Sequence, residues 1–217
     1  MIVAFLGALG AGKTLHATRW AIRYSLAARG ANVYSNIWLN ESFFREHKRI
    51  NPAFQLGRIA TVDDIVEMAA AGGGVLLLDE VHRLLDARLS MQAQNIFLSE
   101  FFMFLRKIRA TTLVTFQSLR MVDVRLRNAL DLVVMCRARG PRGRRTFEQF
   151  VYDYQATPPV LRKHERQTEE EVLPYFSAYD TYQFVRSLKF PATNKEFDKF
   201  MSRIEEAAAA RREKRVG

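Results

Sequence analysis

Cysteine is almost absent: Cys136 stands alone in the apolar run Val133, Val134, Met135, Cys136, so neither an intrachain disulfide nor a cysteine metal cluster can form. The expected setting is reducing and cytoplasmic. Glycine and proline are scarce, 11 and 6 in 217 residues, which excludes collagen-like and low-complexity chains. Disorder is excluded too, because 48% of the residues are hydrophobic and can build a packed core. No apolar run approaches the ~18 residues that cross a bilayer, and Met1 to Leu6 lacks the basic start and small-residue cleavage site of a signal peptide. These absences predict a soluble chain of one domain with a small appendage at most.

Acidic residues are in deficit, and the deficit is local. The chain carries 33 Lys and Arg against 23 Asp and Glu, a formal charge of +10. Residues 101–145 alone hold 11 basic side chains against Asp123 and Asp131, so this segment accounts for +9 of that total. A concentrated excess of this kind predicts a polyanionic partner. The competing reading is a set of scattered, solvated arginines, since clustering in sequence need not be clustering in space.

Hydrophobic patterning supplies the architecture. Residues 2–6 and 75–78 are continuous apolar runs bounded by glycine or acid, as expected of strands covered on both faces. Val33 to Leu39, Thr112 to Phe116 and Leu132 to Arg137 read as further strands, and Thr146 to Tyr154 as an edge or antiparallel strand. Helices are expected from Thr14 to Arg29, ended by Gly30; from Thr61, a side-chain N-cap, to Gly72; from Ser90 to Arg109; and from about Asn194 into the basic tail. Strands alternating with helices predict an α/β fold with a mostly parallel central sheet flanked by helices. The core is expected to span residues 1–157, with 158–217 as a C-terminal extension of charged segment and basic helix. Ala138 to Arg145 reads as a loop whose Arg139, Arg142, Arg144 and Arg145 would grip phosphates, the tail Arg211, Arg212, Lys214 and Arg215 being next in line.

Gly7, Ala8, Leu9, Gly10, Ala11, Gly12, Lys13, Thr14 match the phosphate-binding loop of Gly, any four residues, Gly, Lys, Ser or Thr. Glycines let backbone amides fold around phosphate oxygens, and the helix that follows adds a positive N-terminus. The expected nucleotide-binding set is Gly7, Gly10, Ala11, Gly12, Lys13, Thr14 and Leu15, with Lys13 reaching the phosphates and Thr14 ligating Mg²⁺. Strand 75–78 delivers Asp79 and Glu80 at its carboxyl end, where open parallel sheets bind ligands. Asp79 is expected to hold Mg²⁺ through its hydration shell and Glu80 to polarise an attacking water, the alternative for Glu80 being a helix cap. Gln117, closing the next strand, would contact the γ-phosphate or that water. His82 reads as a hydrogen-bonding supporting group, and His16 as a residue that packs or faces solvent.

Together these motifs, with the helix ending at Arg106 and Lys107 and the segment Val122 to Arg127, resemble the FtsK and HerA superfamily of DNA-pumping ATPases. Within it the chain is most similar to genome-packaging ATPases of membrane-containing icosahedral phages, and is related to the zonula occludens toxin-like assembly ATPases of filamentous phages. The likeness covers about residues 1–137, with Tyr179 to Tyr182 as a fainter echo. It implies a RecA-like fold, ATP and Mg²⁺ as cofactors, and translocation of double-stranded DNA into a preformed capsid. It also implies a homo-oligomeric ring, capsid or membrane-vertex partners, and a place in the host cytoplasm or at the virion packaging vertex. In such a ring, Arg106 or Arg127 would reach a neighbour's site. The filamentous-phage relatives usually continue into a membrane span, and its absence here points to packaging rather than export. A function of another class, a small-molecule kinase, shares the loop but would need a substrate lid rather than a basic segment; a nucleotide-binding scaffold without turnover is the third.

Overall fold

The computed structural model describes residues 1–81, 100–121, 124–180, 191 and 193–213. Ile2–Leu6 (β1) is buried at every position, so it shows no polar alternation. Lys13–Ala27 (α1), Val33–Ser35 (β2), Arg45–Ile50 (α2), Leu56–Arg58 (β3), Val62–Ala71 (α3) and Val75–Leu78 (β4) follow. Residues 100–107 are helical (α4). Next come Thr111–Phe116 (β5), Val124–Ala129 (α5), Leu132–Arg139 (β6), Thr146–Asp153 (β7), Val160–Thr168 (β8), the single turn Glu169–Val172 (α6) and Asn194–Glu213 (α7).

One sheet holds all of these strands, in the order β3-β2-β4-β5-β1-β6-β7-β8. The run from β3 to β6 is parallel, and β7 and β8 extend it antiparallel. Alternate side chains of β1 enter different cores. Val3 and Phe5 pack with Leu15 and Ala17 of α1, whereas Ile2, Ala4 and Leu6 join Ile65, Met68, Phe101 and Leu105 beneath the other face. α3 begins at the predicted cap: Thr61 accepts from the Asp64 N–H, and Asp64 accepts from the Thr61 N–H in return. Such a cap contributes about 1 kcal/mol.

Several expectations change. β2 stops at Ser35 rather than Leu39, because Asn36 turns to bind the backbone of Asp79. β6 runs through Ala138 and Arg139, so the connection to β7 is only residues 140–145. The charged stretch after Pro159 contains β8, whose backbone pairs with β7 while most of its side chains face solvent. The expected boundary at 157 therefore falls between two neighbouring strands of one sheet. α7 packs on α3, and its Phe197, Phe200 and Ile204 enter the same core as Phe101. Of the expected helix 90–109, residues 90–99 lie outside the described residues; the remainder is helical to Lys107 and turns out at Arg109, whose φ is +61°.

Candidate functional site

β1, β4 and β5 are parallel and in register, so Gly7, Asp79 and Gln117 emerge together on the carboxyl rim. Gly7 leaves β1 where an added Cβ would lie 2.5 Å from the Cys136 carbonyl oxygen, so no side chain fits. Gly12 is left-handed at φ +85° and caps α1 without a side-chain hydrogen bond. A Cβ there would meet the Phe147 ring at 2.9 Å. No acid lies in the first turn of α1, which leaves its N–H groups and positive end for an anion. Lys13 Nζ donates to the Ala8 carbonyl across the loop at 3.0 Å. Ala11 and Leu15 are buried, and the Ala11 N–H donates to the Ala8 carbonyl at 3.1 Å.

Asp79 is the centre of the site. Its Oδ1 accepts hydrogen bonds from Thr14 Oγ1 at 2.9 Å and Thr115 Oγ1 at 2.7 Å. Asn36 clamps its backbone from both sides: Oδ1 accepts from the Asp79 N–H at 2.7 Å and Nδ2 donates to the Asp79 carbonyl at 2.9 Å. Burial pushes the Asp79 carboxyl above its ordinary pKa, and the Glu80 charge adds to this; the two hydroxyl donors and Lys13 oppose it. Glu80 follows in the left-handed region at φ +47°, rare for a non-glycine residue, and its N–H donates to Thr115 Oγ1 at 2.8 Å. One hydroxyl thus holds both acids. Thr115 and Asn36 were missed by motif reading, because a threonine inside an apolar strand and an asparagine past a short one carry no signal until β2, β4 and β5 are aligned.

Gln117 is exposed at the end of β5, on the same rim. His82 lies outside the described residues. Arg106 is corrected: it donates to Asp131, which also accepts from the Ile2 N–H, and to the Ala129 carbonyl. These partners sit at the amino-terminal ends of β1 and β6, the edge of the sheet opposite the loop, so Arg106 is a structural tie and not a free finger. Arg127 is on α5, near that same lower edge, with Nε buried and without a hydrogen-bond partner among the described residues. The arginine loop is also corrected. Arg139 belongs to β6, and Arg145 is fixed by Glu169, whose carboxylate accepts from its backbone N–H at 2.9 Å and from Nη2 at 2.7 Å. These bonds hold the Glu169 carboxyl down at about 2, and the Arg145 guanidinium rests over the Phe147 ring. Arg142 and Arg144 remain exposed at the hairpin tip.

His16 lies one turn into α1, buried beneath Gly12 with neither ring nitrogen hydrogen-bonded among the described residues. Burial and the neighbouring Arg19 lower its pKa to about 4, against a smaller opposing effect of Glu165. Its folded pKa lies below the unfolded value of about 6.5, so the unfolded chain binds the proton first and stability falls as pH drops from that value towards 4. His16→Leu is expected to flatten this part of the stability profile, measured by denaturant melts at pH 7, 6 and 5; an unchanged slope would refute it.

The profile of the zonular occludens toxin (Zot) family matches residues 1–183. The chain belongs to the zonular occludens toxin family. No curated protein sequence matches it significantly. Among solved structures, the flagellar accessory protein FlaH of Methanocaldococcus jannaschii is 13% identical, with 82% of this chain and 88% of that one covered and a TM-score of 0.52. The DNA-packaging ATPase B204 of Sulfolobus turreted icosahedral virus is 14% identical over 76% of this chain and 96% of that one, TM-score 0.50. The N-terminal domain of zonular occludens toxin from Neisseria meningitidis is 16% identical over 82% and 98%, TM-score 0.43. The fold of this Zot-family chain is therefore the RecA-like P-loop NTPase fold that the motifs imply. The packaging and zonular occludens toxin alternatives stand level: the family is the latter, and the likeness to the packaging ATPase B204 is one of fold. Among the described residues no helix is long and apolar enough to cross a membrane.

Proposed function

We propose that this chain hydrolyses ATP and uses the energy to move DNA during virion assembly. The carrying observation is the bond line Thr14–Asp79–Thr115 beneath the loop, with Glu80 held beside it. Thr14 Oγ1 and Asp79 Oδ1 are hard oxygen donors 2.9 Å apart. That separation is the hydrogen bond joining them, so Thr14 Oγ1 would ligate Mg²⁺ through a lone pair while Asp79, accepting its proton, would hold the ion through its hydration shell. Among the described residues no cluster of three His, Cys, Asp or Glu competes for a metal, so phosphate oxygens and water would complete the shell. Bound there, the ion would neutralise phosphate charge. The loop amides and Lys13 hold the phosphates, Glu80 takes the proton of the attacking water, and Gln117 orients that water or the γ-phosphate.

DNA enters through the basic segment, of which Arg142 and Arg144 stand exposed at the β6–β7 hairpin tip. A ring of copies would allow a further division of labour: α5 leads through Leu130 and Asp131 to the lower edge of the sheet, at the opposite end of β1 from the loop, and Arg127 lies on that helix. A neighbour's site is the one it could serve. Loading duplex DNA into a capsid and the filamentous-phage assembly role are two versions of this activity. ATP turnover measured with duplex, with single strands and without DNA tests them. Stimulation by duplex is the expected result and favours loading; stimulation by single strands alone favours filament assembly. Turnover only with a small acceptor, or tight ATP binding without turnover, would overturn the reading in favour of a kinase or a scaffold.

A further inference from the structure

β6, β7 and β8 form an antiparallel extension whose two faces differ. One face packs on α1: Cys136, Phe147 and Val151 are buried there, and Gln167 bonds to Arg19. On the other, no described element covers the outer strands, and Arg137, Arg139, His164 and Arg166 are all exposed. The register puts them together, since Phe150 pairs with His164 and Glu148 lies between Arg137 and Arg166. Phe150 is the post of this face. The His164 ring stacks on it at 4.1 Å and 7°, and from the β6 side the Arg137 guanidinium lies 5.3 Å from its centroid. Glu148 is the acid among them, 3.6 Å from both Arg139 Nε and His164 Nε2.

We propose that this face is a duplex-DNA cradle that grips the phosphate backbone. The inference rests on the DNA-moving reading above and assigns the contact to a surface the loop arginines alone do not define. Three guanidinium groups, Arg137, Arg139 and Arg166, stand against one carboxylate, and the exposed Arg142 and Arg144 continue the positive surface at the hairpin tip. β6 pairs with β1 only as far as Met135, so the hairpin carries these cations past the end of β1 on the nucleotide side of the sheet. Phosphate is the group that such a row complements. Both faces of Phe150 are occupied, by a guanidinium and by an imidazole, so it offers no platform for an unstacked base. Its work is to hold Arg137 in place, which lowers the ordering cost of each phosphate contact. A sequence-indifferent hold on a duplex backbone is what this arrangement fits.

The test is fluorescence anisotropy of a labelled mixed-sequence duplex against salt. Arg137→Ala/Arg166→Ala should bind about 10- to 100-fold more weakly near 0.1 M salt, with the slope of log K against log salt reduced by about 2. Glu148→Gln should bind about three- to tenfold more tightly, a gain that misfolding cannot mimic. If the unmodified chain binds no DNA, the function reading falls and this assignment with it. If it binds, and the double variant keeps its affinity and slope, only the cradle is overturned. Should the double variant fail to fold, Glu148→Gln decides alone, and unchanged or weaker binding overturns the cradle. Tighter binding of a single strand than of the duplex also overturns it.

Discussion

Glu80→Gln is expected to lower ATP turnover by about 10²- to 10⁴-fold, the usual contribution of a positioned base, while nucleotide stays bound. The amide keeps the volume of the acid and leaves the Glu80 N–H bond to Thr115 untouched, so the loop and Asp79 keep their geometry. Lys13→Ala should behave differently: its ammonium already spans the loop to Ala8, and its loss would remove the cation proposed to meet the phosphates. Affinity, not only turnover, should then collapse. Equilibrium binding of a fluorescent ATP analogue, beside steady-state hydrolysis, separates the two variants. Near-normal turnover in Glu80→Gln would reduce Glu80 to a helix cap. The same variant reports on assembly. Glu80→Gln subunits keep Arg127, and Arg127→Ala subunits keep Glu80, so mixing two inactive preparations should restore hydrolysis at mixed interfaces if Arg127 acts across them. If no ratio restores it, the finger assignment fails, and the buried Nε of Arg127 serves its own subunit.

The parts legible in sequence were those with a local signature. β1 and β4 announced themselves as unbroken apolar runs because both faces are covered, and Thr61 as a cap because a threonine precedes two acids and an apolar stripe. The loop and Asp79 were readable for the same reason, since glycine, lysine and acid sit at fixed spacing on their own elements. What escaped depends on distant pairing. β8 carries Arg162 to Gln167 as an unbroken polar run, and only its ladder with β7 makes it a strand. Arg106 and Arg145 are chemically identical to free phosphate-binding arginines until Asp131 and Glu169 are brought to them over a distance of about two dozen residues. A charge count finds the cations but cannot see which of them already have a carboxylate.

Thr115 is the residue whose role is most surprising for its chemistry, and Thr115→Val is expected to slow turnover by about 10- to 100-fold while changing ATP affinity about threefold or less. The substitution conserves shape and removes one hydroxyl. Two bonds vanish with it: the donor to Asp79 Oδ1 at 2.7 Å and the acceptor for the Glu80 N–H at 2.8 Å. Asp79 keeps Thr14 and the Asn36 clamp, so the groups that meet nucleotide stay in place. Glu80 does not. Its φ of +47° costs about 1–3 kcal/mol in a non-glycine residue and persists only while neighbours hold it. Released, the carboxylate leaves the position from which it would take the water's proton, and misplacement by ~1 Å can cost ~10²-fold in rate. The orphaned N–H should also lower stability by about 1–3 kcal/mol, visible in a denaturant melt. Thr115→Ser, which keeps the hydroxyl and loses only the methyl, should recover both turnover and stability. If the serine variant is as slow as the valine variant, packing of the methyl against the parallel strands and not the shared hydroxyl is what matters. If the valine variant turns over normally, Glu80 is held by something other than Thr115.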